Sequence, residues 1–200
     1  MSELYFDIET LDWIPPDRDL SKIRFGIAVT HDTHAHANGH RRTWLTWGPS
    51  QAADLARHIL YTDAEKIVGW NIVDFDLRVL EHNTGWEMGM IRGRVFDLMR
   101  EIRNDTDRWY KLDVIAAANL ERSKIGHGDL AVQWLNSGDR RQIAQAVKYC
   151  RDDVELVIQL YKKIQRGEPL LLPARPSRRE WNDYLWLPGK VEYAVEERKR

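Results

Sequence analysis

The sequence predicts an α/β fold, a mixed sheet of short strands flanked by helices. Three observations predict it: three strand-like runs lead the chain, strand and helix patterns then alternate, and the second half is helical. The first run, Leu4-Tyr5-Phe6-Asp7-Ile8-Glu9-Thr10, alternates apolar residues with acids, as a half-buried strand does. Strands are expected over 23–30 and 43–47. Asn38-Gly39 between them is a hairpin signal, so these two should be antiparallel neighbours. Ser50 is a suitable N-cap for a helix over 51–61, where Ala52, Leu55, Ile59 and Leu60 recur at helical spacing. A strand over 66–71 runs into a helix over 75–82, and a further strand is expected over 95–99. Helices follow over 111–120, 129–135 and 139–165. These elements make one domain, 1–166. Beyond it, over 167–200, Pro169, Pro173, Pro176 and Pro188 break any helix, while Arg175, Arg178, Arg179, Trp181 and Trp186 cluster. That C-terminal extension is too aromatic for a disordered linker, and an ordered wrap with a short strand pair is expected.

Composition narrows the function classes. The 30 basic and 31 acidic residues leave a net charge of -1, which excludes a globally polycationic nucleic-acid binder. An enzyme that acts on nucleic acid through an acidic, metal-loaded site with basic residues at its rim remains open. No apolar run reaches the ~18 residues of a membrane span, and the acidic start MSELYFDIET is not a signal peptide, so no membrane association is expected. Cys150 is the only cysteine, so no intrachain disulfide can form and a reduced cytoplasmic setting is expected. Nine tryptophans suit core packing, and exposed ones could stack on bases.

Three small groups of residues carry the chemistry. Asp7 and Glu9, two apart on a strand, project from one face; a buried pair of bare charges there would cost several kcal/mol each, so the face is either open or holds a cation. Asn71, Asp74, Phe75 and Asp76 stand where a buried strand meets a helix, a place where ligand groups gather in open α/β sheets. Capping of the turn and helix is the plain alternative. Tyr149 and Asp153, four apart, share one face of the long helix, with a packed surface Tyr beside an acid as the ordinary reading.

Taken in order, Asp-x-Glu on the first strand, Asn-x-x-x-Phe-Asp at the junction and Tyr-x-x-x-Asp on the late helix resemble the DEDD exonucleases, which have a ribonuclease H-like fold. The spelling is most similar to the proofreading exonuclease domain of family B DNA polymerases, and the resemblance spans Leu4 to about Gln165. It implies Asp7, Glu9, Asp76 and Asp153 as ligands of two divalent cations, Mg²⁺ or Mn²⁺, and Tyr149 as the group that orients the attacking water. It also implies Thr10, Asn71 and Phe75 as substrate contacts. Asp74 and Asp152 are rivals for the second and last acids; the family pattern favours Asp76, directly after the aromatic residue, and Asp153, four after a tyrosine. A histidine five before the last acid would mark the other subtype, and Lys148 stands there.

The activity implied is 3′-to-5′ hydrolysis at a single-stranded 3′ end, DNA favoured over RNA, of a kind used in DNA repair, with a helicase or polymerase as candidate protein partner. In-line cleavage needs an activated water and a stabilised departing 3′-oxygen, which two hard cations about 3.5–4 Å apart supply. Such cations prefer oxygen ligands, and clustered carboxylates relieve their mutual repulsion by binding them. The competing readings are a non-catalytic nucleic-acid-binding or subunit-organising domain on the same fold, and an exoribonuclease.

Four further features have plainer readings. His31, His34, His36 and His40 surround the expected hairpin tip without a cysteine, so a zinc site is not expected. Asp97 ends an apolar strand, where pairing with an arginine or support behind the acids are the two roles open to it. Lys124, Gly126, His127 and Gly128 form a permissive loop that either turns the chain or approaches a phosphate. The arginines and tryptophans of the extension combine cations with ring faces, but packing is their expected role.

Overall fold

The computed structural model describes residues 2–33, 40–45, 50–120 and 128–173. The strands are Glu3–Thr10 (β1), Phe25–Asp32 (β2), His40–Leu45 (β3), Lys66–Gly69 (β4) and Val95–Asp97 (β5). They form one sheet in the order β3-β2-β1-β4-β5, antiparallel on the β2 and β3 side and parallel where β1, β4 and β5 meet. The helices are Gln51–Leu60 (α1), Asp76–Thr84 (α2), Leu98–Thr106 (α3), Leu112–Leu120 (α4), Gly128–Asn136 (α5) and Arg140–Gln165 (α6). The mixed α/β architecture and the antiparallel second and third strands are as expected. No helix among the described residues is long and apolar enough to cross a membrane.

Alternation along β1 sorts the two faces of the sheet. Leu4, Phe6 and Ile8 point into a core shared with Leu55 and Ile59 of α1 and Leu77 and Leu80 of α2. Tyr5 points the other way, into a core with Val154 and Val157 of α6, Ile115 of α4 and Leu98 of α3. Each such buried aliphatic contributes roughly 1.5–3 kcal/mol, which clamps α6 across β1 and β2.

Several boundaries differ from the expected ones, each for a local reason. β2 starts at Phe25 because Ile23 closes a 3₁₀ turn over Leu20–Lys22, its N–H donating to the Leu20 carbonyl at 3.1 Å. β3 starts at His40, paired with Asp32, while Asn38-Gly39 and Trp47 lie outside the described residues. β4 stops at Gly69 because Asn71 takes a left-handed φ of 62°, which no strand accommodates. β5 ends at Asp97, whose side chain accepts the Arg100 N–H and so caps α3, a helix the sequence pattern does not predict. Ser50 precedes α1 as expected, but its carbonyl, not its side chain, takes a helical N–H, that of Asp54.

The start of the extension lies against the domain. Asn119 holds Leu171 by two hydrogen bonds of 2.7 and 2.8 Å, and Leu170 and Leu172 pack on the α6-side core. The rest of the extension, and Lys124, Gly126 and His127, lie outside the described residues.

Candidate metal centre

Asp7 stands opposite Val29, and Glu9 opposite Ile27, so both carboxylates rise from the face that α6 covers, in line with Tyr5. Both are half-buried. The register slips just after Glu9, where Thr10 pairs with Phe25 and Gly26 is passed over. A Cβ at Gly26 would lie 2.7 Å from the Glu9 carbonyl oxygen and 2.8 Å from Cδ1 of Leu135 on α5. Only glycine lets β1 and α5 close together here. Gly26→Ala is therefore expected to cost about 1–3 kcal/mol, the scale of overpacking, and to displace Glu9. A lowered melting temperature together with weakened Mn²⁺ binding in a calorimetric titration checks this; a variant unchanged in both would show that the contact is tolerated.

Asp76 is brought in by an unfinished strand. Pairing of β1 with β4 ends at Tyr5 and Val68, and beyond it the Ile8 N–H donates to Oδ1 of Asp76 at 3.0 Å. The first residue of α2 is thereby tied between Asp7 and Glu9. Asp76 is buried, and burial pushes its carboxyl up to about 8, with the charges of Asp97 and Asp153 acting in the same direction and the Ile8 N–H opposing them. Asp74, two residues earlier, is exposed.

α6 supplies the remaining groups. Ala146, Tyr149, Cys150, Asp153, Val154 and Val157 form its buried stripe. Sγ of Cys150 donates to the Asp7 carbonyl at 3.3 Å, which fixes the helix against β1 at the acids. The Tyr149 ring lies edge-on to Trp134 of α5, centroids 6.2 Å apart. Asp153 is buried, whereas Asp152 faces outward and pairs with Lys148 at 2.6 Å.

A clamp behind the acids joins the turn after β4 to α3. Asp97 accepts the N–H groups of Asn71 at 2.8 Å, Val73 at 3.0 Å and Arg100 at 3.3 Å. These backbone donors, rather than an arginine side chain, occupy the carboxylate, and burial pushes its pKa up. Asn71 is thus held at the site's edge, with its buried Oδ1 lacking a hydrogen-bond partner among the described residues. Phe75 donates its N–H to the Asn71 carbonyl and packs on the core. The Thr10 hydroxyl donates to the Asp12 carbonyl at 2.8 Å, at the base of a segment that exposes Trp13 and Ile14.

Sequence reasoning missed three contributors: Cys150 and Trp134, which position α6 and Tyr149, and Gly26, which admits the Glu9 backbone. Of the two roles open to Asp97, it takes support behind the acids, bracing the turn. An i, i+4 apolar pattern of Leu98 and Ile102 after an Asp was the available signal for Asp97 as a cap.

The donor set fits hard divalent cations. Ligating atoms of Asp7, Glu9 and Cys150 lie within 4.8 Å of one another; this is the group of potential metal ligands among the described residues, and no histidine belongs to it. Burial and the charges of Asp7, Glu9 and Asp153 push the Cys150 thiol well above its ordinary range, so it stays a protonated donor. Carboxylate oxygens are what remain, and those suit Mg²⁺ or Mn²⁺ rather than zinc.

No curated protein matches the chain. Among solved structures it is similar in fold to the family B DNA polymerase from the hyperthermophilic archaeon Pyrobaculum calidifontis, with a TM-score of 0.61 and 19% identity. That similarity covers 82% of this chain and 24% of the polymerase, so the chain spans about a quarter of that protein's length. The RNase_H superfamily model matches residues 4–165, every described strand and helix but for the first residue of β1. The chain belongs to the RNase H superfamily.

Proposed function

We propose that the protein is a metal-dependent 3′-to-5′ exonuclease acting on single-stranded 3′ ends, with DNA as the favoured substrate. The observation that carries this reading is the pair of bonds from Ile8 to Asp76 and from Cys150 to the Asp7 carbonyl, which draw α2 and α6 onto the acid-bearing end of β1. Asp7, Glu9, Asp76 and Asp153 would hold two divalent cations. When bound, those cations activate a water and stabilise the departing 3′-oxygen. Tyr149 holds that water by its hydroxyl, and its contact with Trp134 restricts the ring. Asn71, held at the edge of the site by Asp97, would stand beside the terminal nucleotide, and Phe75 would shape the wall next to it. Polarity of cleavage rests on the resemblance of the ordered acid motifs to the DEDD exonucleases.

Tyr149→Phe is expected to lower turnover by roughly 100-fold, at the lower edge of what a positioned acid–base group contributes to catalysis, while Mn²⁺ affinity stays near wild type. Single-turnover rates and a metal titration on the same preparation separate the two quantities; full turnover would remove Tyr149 from the reaction.

The function is tested with 5′-labelled DNA and RNA oligonucleotides incubated with Mg²⁺, Mn²⁺ or EDTA. A ladder that shortens from the 3′ end and vanishes with chelator is expected, stronger on DNA. A ladder on RNA alone would make the protein an exoribonuclease, and binding without cleavage a non-catalytic domain.

A further inference from the structure

We propose that an arginine-lined cavity beside the metal centre is a second contact for the nucleic-acid strand and takes phosphate oxygens of its backbone. This rests on reading the acids as a nuclease centre. The cavity measures about 310 Å³ and lies against the start of α2. Arg78 of α2, Arg92 of the 3₁₀ turn before β5 and Arg100 of α3 line it, over an apolar floor of Val73, Leu77 and Met88.

All three arginines are exposed, and none forms an ion pair among the described residues. Two acids share the cavity, Asp74 and Glu81, and Oε1 of Glu81 already accepts the Met88 N–H at 2.9 Å. A surplus of guanidinium therefore collects on a chain whose net charge is -1. Guanidinium forks match phosphate oxygens in geometry and remain charged at every working pH.

Position ties the cavity to the acids. Asp74 lines it, and Asp76, which accepts the Ile8 N–H between Asp7 and Glu9, follows two residues later, so their Cα atoms are at most about 7 Å apart. The Asp97 clamp fixes both walls at once, since it holds the N–H groups of Val73 and Arg100 together with that of Asn71. A strand whose end sits at the acids therefore comes level with the arginines within a few nucleotides.

The test is binding of a fluorescein-labelled 12-nucleotide DNA strand in EDTA, where no hydrolysis occurs, followed by anisotropy over a salt series. The variant Arg78→Ser/Arg92→Ser/Arg100→Ser is compared with Arg108→Ser/Arg140→Ser/Arg141→Ser, which removes the same charge from exposed positions elsewhere. The first triple variant is expected to raise Kd about tenfold or more and to flatten the salt dependence by about 0.7 for each phosphate the arginines no longer neutralise, with the second near wild type. Equal weakening of both variants, or of neither, overturns the proposal, as does a wild type that binds no strand at low salt. Competition by inorganic phosphate and by a nucleoside monophosphate identifies the source of the anion. A monophosphate that binds through the arginines, with strand affinity unchanged in the variant, overturns the strand contact. Arginine-dependent binding without any cleavage in Mg²⁺ would sink the nuclease reading alone, and cleavage with arginine-independent binding would sink this one alone.

Discussion

Asp153→Ala is expected to lower turnover on a single-stranded 3′ end by about 10³-fold or more without unfolding the protein. Loss of a group that stabilises transition-state charge has this scale. Asp153 lies on the buried stripe of α6, and its charge pushes up both the Asp76 carboxyl and the Cys150 thiol. Removing it takes away a proposed ligand and also a source of repulsion, and alanine suits a helix interior. The metal-free melting temperature should therefore hold or rise while activity disappears, a combination that simple misfolding cannot produce. Asp152→Ala is the control. Its carboxylate is half-exposed and paired with Lys148, an i,i+4 surface pair worth about 0.3–0.5 kcal/mol, so near-normal turnover is expected. If the two variants behaved the other way round, the last acid of the site would be Asp152 and the helix face assigned to the metals would be wrong.

The contrast between these neighbouring acids shows what the sequence can carry. Periodicity alone put Tyr149 and Asp153 on one helical face, and alternation alone put Asp7 and Glu9 on one side of β1; both depend on local geometry that the chain cannot avoid. The antiparallel neighbours β2 and β3 followed from an equally local signal, the hairpin between them, whereas the full order β3-β2-β1-β4-β5 depends on pairings between distant strands that no local pattern states. What escaped were the contacts made between elements. Nothing near Gly26 announces that Leu135 arrives from more than a hundred residues away. Nothing beside Asp97 shows that the N–H groups of Asn71 and Val73 will find it. The helix α3 was hidden for a related reason: its cap, Asp97, is also the last residue of a three-residue strand, and β-rich Val95-Phe96 dominates the local pattern. Asp74 and Asp76 are equally placed in the chain at the strand-to-helix junction. The family pattern favours Asp76, and in the fold the Ile8 N–H, left without a β4 partner, binds Asp76 and not Asp74.

That same N–H sets up the second large effect, in Asp76→Asn. The Asp76 carboxyl is pushed from the ordinary 3.8 up to about 8 in the fold, chiefly by burial. Between those values the folded state keeps a proton that the unfolded state has released, so stability falls as pH rises through that window. One group can contribute at most about 1.4 kcal/mol per pH unit, roughly 4 °C for a chain of this size. Metal-free protein should therefore melt progressively lower from about pH 5 toward pH 8, and level off above. Mg²⁺ or Mn²⁺ should reverse the loss, most strongly at high pH, because binding requires the proton to leave. Asparagine keeps an oxygen for the Ile8 N–H but cannot ionise. In Asp76→Asn the melting profile should lose this slope, the cations should no longer raise the melting temperature at pH 8, and turnover should fall at least 10²-fold. Scanning calorimetry across pH, with and without cation, reads the first two effects independently of turnover. A variant that retained the wild-type slope would place the titrating group elsewhere in the cluster. One that lost the slope yet still gained stability from Mn²⁺ would show that the cations bind without this carboxylate, leaving Asp7, Glu9 and Asp153 to hold them.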